Sequence, residues 1–181
     1  VQQMRYSTGA IILHWAIAIA VITNWRLAEA TEGASREVAM SLMGTHKALG
    51  ITILFLTILR IAWRLTHTHP PMSASVKGWE VVVAKAVHAL FYILLIALPL
   101  IGWVANSAFG RDIDMFGLFT IPALPVAGDP DMGGSLYDLH KLLGTTMLVL
   151  IALHILGALK HHILDRNGEL YRMLPFGTPR G

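Results

Sequence analysis

The sequence predicts an all-α integral membrane protein, a four-helix up-and-down bundle with both termini in the cytoplasm. Three observations predict it. Only 14% of the 181 residues are charged and 55% are hydrophobic, whereas a water-soluble domain carries about 25% charged residues. Four uncharged runs, Tyr6–Trp25, Ala48–Leu59, Ala86–Gly110 and Leu142–Leu159, are separated by short polar connections. Charge is also sorted by side. Nine of the fourteen Lys and Arg fall with the termini and the 64–80 loop, and eight of the eleven acids fall on the other side. Basic loops stay cytoplasmic, so the first side is called inner below and the second outer.

Four spans with short loops imply one domain over 1–181. The absence of cysteine excludes disulfides, iron–sulfur clusters and thiolate metal sites. A pI near 9.5 does not point to nucleic acid, because the basic residues line no single soluble face; topology accounts for them.

The elements follow in order. Span one is expected over about 7–27. His14-Trp15 interrupts its apolar run and no small-residue cleavage site follows, so it reads as a mature span rather than a signal peptide. Span two, about 40–63, has a short apolar core that extends through His46-Lys47 and Arg60, whose side chains can snorkel. The 66–80 connection holds His67, His69 and the helix-ending Pro70-Pro71; its two histidines are expected to be solvated. Span three, about 83–108, carries Pro99 with Gly102 three residues on, where a kink is expected. Phe109–Ser135 reads as the longest loop, and span four covers about 136–162.

Span four organises the histidines. His140 and His154 are fourteen residues apart, a turn of ~1400° and a rise of ~21 Å on a helix. They therefore share a face and lie near opposite sides of a ~30 Å hydrocarbon layer. His46 falls at the outer level with His140, and His14 and His88 fall at the inner level with His154. A histidine inside a membrane is a functional hypothesis by default. His46-Lys-Ala-Leu-Gly50 and His140-Lys-Leu-Leu-Gly144 repeat one pattern, in which Gly50 and Gly144 leave bare backbone beside each imidazole for a flat macrocycle. His14 and His154 have Ala18 and Ala158 at the same offset, whereas His88 has the bulky Tyr92. Two ligand pairs follow, His46 with His140 and His14 with His154. Histidine on both faces of a haem iron suits electron transfer, because no open position remains for a substrate. The competing reading is four histidines that merely hydrogen-bond between helices; two matched levels weigh against it.

The chain resembles the bacterial cytochrome b561 family over nearly its whole length. The matching pieces are Tyr6-Ser7, Leu13-His14-Trp15, Thr45-His46-Lys47, His88 leading into Ile96-Ala97-Leu98-Pro99, Leu139-His140-Lys141, Leu153-His154 with His161-His162, and the tail Leu170–Pro175. The resemblance implies two haem b groups on His14, His46, His140 and His154 (the iron ligands), ubiquinone as a redox partner, and a bacterial inner membrane. It is nearest to members of the superoxide oxidase type, which pass electrons from superoxide outside to ubiquinone. On that reading Lys47 and Lys141 are the candidate catalytic residues that draw in an anion, with Arg111 near them, although the outer loops are net acidic. His161, His88, Ser7 and Arg64 are the candidate quinone-binding residues, with His161 able to supply a proton. The alternatives are a haem-carrying subunit that serves a separate periplasmic dehydrogenase or cytochrome, and a metal or proton transporter. The long apolar cores argue against the transporter, which would show broken helices at midplane.

Overall fold

The computed structural model describes residues 5–68, 70–71, 76–166 and 169–177; His69 lies outside them. Four helices dominate: α1 (Thr8–Glu29), α2 (Arg36–Thr66), α3 (Gly78–Ala108) and α4 (Pro130–Ile163). Each is long and apolar enough to cross a membrane, so the chain is a multi-pass all-α bundle. Backbone packing runs from α1 to α2, α2 to α3 and α3 to α4. The outward faces expose Phe55, Ile93, Leu142 and Leu156 to their surroundings. Such a surface would drive aggregation in water; lipid is its natural solvent.

The helices start earlier than hydropathy predicts: α2 at Arg36 rather than 40, α3 at Gly78 rather than 83, and α4 at Pro130 rather than 136. Capping chemistry is the reason. The Ser35 hydroxyl accepts the Val38 N–H at 3.4 Å, Glu80 accepts the Lys77 N–H at 3.1 Å, and Asp129 accepts the Met132 N–H at 2.9 Å. These bonds satisfy donors that the first turn leaves free, and Pro130 at the first position of α4 needs no donor. α3 continues through Pro99 to Ala108.

The predicted outer loop is largely ordered. Its second part begins α4, and its first part forms a hairpin of β1 (Ile113–Asp114) and β2 (Thr120–Ile121), paired antiparallel. Gly110, at φ +67°, turns the chain out of α3. Asn106, 1% exposed, then donates to the Arg111 carbonyl at 2.6 Å. That bond aims Ile113 and Met115 at Ala48, with Trp103 alongside, and so closes the outer end.

Mid-bundle, Ile17, Ile53, Leu94, Leu95, Met147 and Leu150 form an apolar plug. Met147 and Leu150 lie between His140 and His154 on α4, so the plug separates the two histidine levels. Thr57 is buried within this region, and its hydroxyl donates to the Ile53 carbonyl at 2.8 Å. At the inner end the tail folds back. Tyr6 N–H bonds Arg172 O at 3.3 Å, Trp15 Nε1 donates to Met173 O at 2.8 Å, and His162 packs on Tyr171.

Candidate functional site

Two histidine couples span the bundle. The His46 and His140 rings lie 6.1 Å apart between centroids, and the His14 and His154 rings 6.2 Å apart. Two metal–nitrogen bonds of ~2 Å each, plus ~1 Å from each nitrogen to its ring centre, require about 6 Å. Both couples fit one iron held from opposite faces. His88 instead stands edge-on to His154 at 5.5 Å, with Phe91 on the same ring at 5.4 Å; both are distances of direct ring packing.

The outer couple is also fixed in the right tautomer. His46 Nδ1 lies 3.0 Å from the Asn24 carbonyl, and His140 Nδ1 lies 3.0 Å from the Leu98 carbonyl. A carbonyl only accepts, so the proton sits on Nδ1 and Nε2 keeps its lone pair for a metal. Beside these rings the backbone is bare. A Cβ placed on Gly144 would meet nothing within 4 Å, and one on Gly50 only the Asn24 amide at 3.7 Å. The donor set and the clearance both suit a haem.

Sequence reasoning gives Gly102 only a kink, and the structure makes it a neighbour of the His140 ring. A Cβ there would stand 3.2 Å from Cε1 and 3.3 Å from Nδ1 of His140, so the bare backbone of α3 admits that ring to Leu98. A signal existed: Gly102 follows His88 by fourteen residues, the same interval as His140 to His154 on the antiparallel neighbour.

The inner couple differs. His14 Nδ1 faces Arg60 Nη1 at 3.1 Å, and the Arg60 guanidinium lies 5.8 Å from the Tyr92 ring centre. Arg60 also lines an open cleft with Tyr6, Ser7, Trp63, Arg64 and Tyr92. Two expected quinone contacts, Ser7 and Arg64, thus meet in one cleft. Ser7 is committed there as well: its hydroxyl caps α1 at the Ala10 N–H and accepts Trp63 Nε1 at 2.9 Å. His67, expected to be simply solvated, is exposed but stacks on Trp63 at 4.1 Å.

His88 and His161 do not line that cleft. His161 Nδ1 bonds the Asp165 carboxylate at 2.7 Å, and Lys160 pairs with both Asp165 and Glu80. Lys160 first, and then His161, hold the Asp165 carboxyl below its ordinary range. Glu80, His161 and Asp165 could converge on a metal ion, but Lys160 already supplies the cation.

At the outer end Lys47 is half-buried and close enough to feel the Arg111 charge, while Lys141 is exposed. Arg111 lies 5.5 Å from the Phe109 ring centre. Lys47 and Arg111 therefore stand near each other at the outer end despite the acidic loops.

Comparison with known proteins agrees with this architecture. Residues 5–176 match the family model of prokaryotic cytochrome b561. The chain is 32% identical over 177 residues to cytochrome b561 homolog 2 of Escherichia coli strain K12, covering 94% of this chain and 91% of that one. It is 33% identical over 171 residues to a probable superoxide oxidase, CybB, of Yersinia pestis, covering 94% and 96%. Cytochrome b562 of Cereibacter sphaeroides is 25% identical over 182 residues, covering 96% and 97%. A matched family model over nearly the full length, four apolar spans and histidine couples spaced for iron make this chain a member of the prokaryotic cytochrome b561 family, a haem-b membrane protein of electron transfer.

Proposed function

We propose that the chain is a di-haem superoxide:ubiquinone oxidoreductase of the bacterial inner membrane. The observation that carries the reading is the pair of histidine couples, 6.1 and 6.2 Å across, one at each end of the bundle. His46 and His140 hold the outer haem, and His14 and His154 the inner. Bound haem supplies a one-electron relay between the two levels. Two superoxide anions each give up one electron and leave as dioxygen; one ubiquinone takes both electrons and two protons and leaves as ubiquinol.

The protein's own residues set the conditions. Lys47, Lys141 and Arg111 offset the acidic loops locally and attract the anion. The plug of Ile17, Ile53, Leu94, Leu95, Met147 and Leu150 keeps water from the path between the levels. The inner cleft, lined by Arg64 and Ser7, would take the quinone head, with both side chains available as donors to its carbonyl oxygens. His161, tied to Asp165, holds a proton at the inner surface. His88 packs on His154 and orients it.

One observation favours a second reading. The hairpin tip exposes Phe116, Leu118 and Phe119, an apolar patch on the outer face that suits a docked periplasmic dehydrogenase or small cytochrome. Superoxide consumption by the purified protein with ubiquinone separates the two. Catalytic loss of superoxide with stoichiometric ubiquinol supports the enzyme, and no loss above the spontaneous rate leaves the electron-transfer subunit.

A further inference from the structure

The two couples face opposite chemistry behind their rings. Each outer imidazole has a carbonyl acceptor on Nδ1, at Asn24 and at Leu98. Such an acceptor makes the opposite nitrogen a stronger electron donor to a metal, which favours oxidised iron. Behind His14 stands a guanidinium, which has only donors and is always charged. Were His14 to hold iron through Nε2, its proton would sit on Nδ1 and the Arg60 hydrogen bond would be lost. The guanidinium would then stand beside the ligand as a cation. None of the ion pairs among the described residues includes Arg60. A fixed positive charge beside a ligand favours the state holding one more electron.

We infer that Arg60 is a positioning residue that holds the inner haem at a higher reduction potential than the outer one, so that an electron entering at His46 and His140 runs inward downhill. The inference rests on the ligand pairing proposed above and adds to it the source of direction. Arg60 also ties the two inner functions together, because the same side chain lines the cleft assigned to quinone.

Redox titration followed by visible absorbance, on the full-length protein in detergent, tests it, with haem counted by pyridine haemochrome in every sample. In Arg60→Gln one haem should become harder to reduce by at least tenfold in its equilibrium, ~59 mV for one electron, while the other stays put. Arg60→Lys, which keeps the charge, should restore most of the difference. In a His46→Ala background, which retains the inner haem, the Arg60→Gln shift should persist. Two haems bound with neither potential moved overturns the inference, as does a shift confined to the haem that survives in His14→Ala. If Arg60→Gln loses a haem outright, the Lys variant decides: a potential well below the unaltered protein's overturns the inference, and one close to it supports it. Fewer than two haems in the unaltered protein sinks the ligand pairing itself, a failure distinct from unmoved potentials.

Discussion

His140 is held from two sides, by the carbonyl of Leu98 on one edge and by the bare backbone of Gly102 beside it. Its neighbour in the pattern, Lys141, is exposed. Replacing Gly102 with alanine inserts a methyl 3.2 Å from the ring. Overpacking of this kind costs about 1–3 kcal/mol, and here it displaces a ligand; the outer haem should be bound less tightly, seen as a lower haem count after dialysis. Single alanine replacements of His46 or His140 should each remove one haem, and of His14 or His154 the other. His88→Ala should leave both, because its ring packs on a ligand without spanning the distance to a partner across iron. Haemochrome counting checks all five. Sequence spacing already sorted these histidines into two levels. It could not show which group stands behind each Nδ1, since Asn24 and Leu98 act through backbone atoms that any residue type possesses.

At the scale of elements, the inner ends of the helices are pinned by side chains rather than by apolar packing. α1 and α2 meet where Trp63 lies over Gly9 and donates to Ser7. A Cβ on Gly9 would stand 2.3 Å from the indole, so Gly9→Ala should expel Trp63 and break that bond, costing about 1–3 kcal/mol and lowering the thermal midpoint in detergent. α3 and the end of α4 are tied through Glu80, Lys160, Asp165 and His161. The Asp165 carboxyl is held below its ordinary value of 3.8 by Lys160 and then His161. Its contribution is therefore complete above about pH 4 and is lost as pH falls through the depressed value. The unaltered protein should lose part of its thermal stability in that acid window, and Asp165→Asn should lose the same part at neutral pH and show a flatter acid response.

For the whole molecule, the acidic outer loops and the local Lys47–Arg111 pair act on an approaching anion in opposite senses. The nearby charges dominate because screening at physiological salt cuts interactions beyond ~8 Å. The second-order rate with superoxide should therefore fall as salt is added, and Lys47→Gln should lower it about threefold or more; a rate that rose with salt would mean the acidic loops control entry. Four apolar runs, the sorting of charge and the fourteen-residue step in α4 determined the bundle, its spans and two levels of histidine, because period and hydropathy are properties of the chain itself. The cleft that joins Ser7 to Arg64 and the guanidinium behind His14 were decided only by tertiary structure. Each depends on which atoms from separate helices come within hydrogen-bond reach, and that distance is fixed by packing across the bundle rather than by spacing along one strand of sequence.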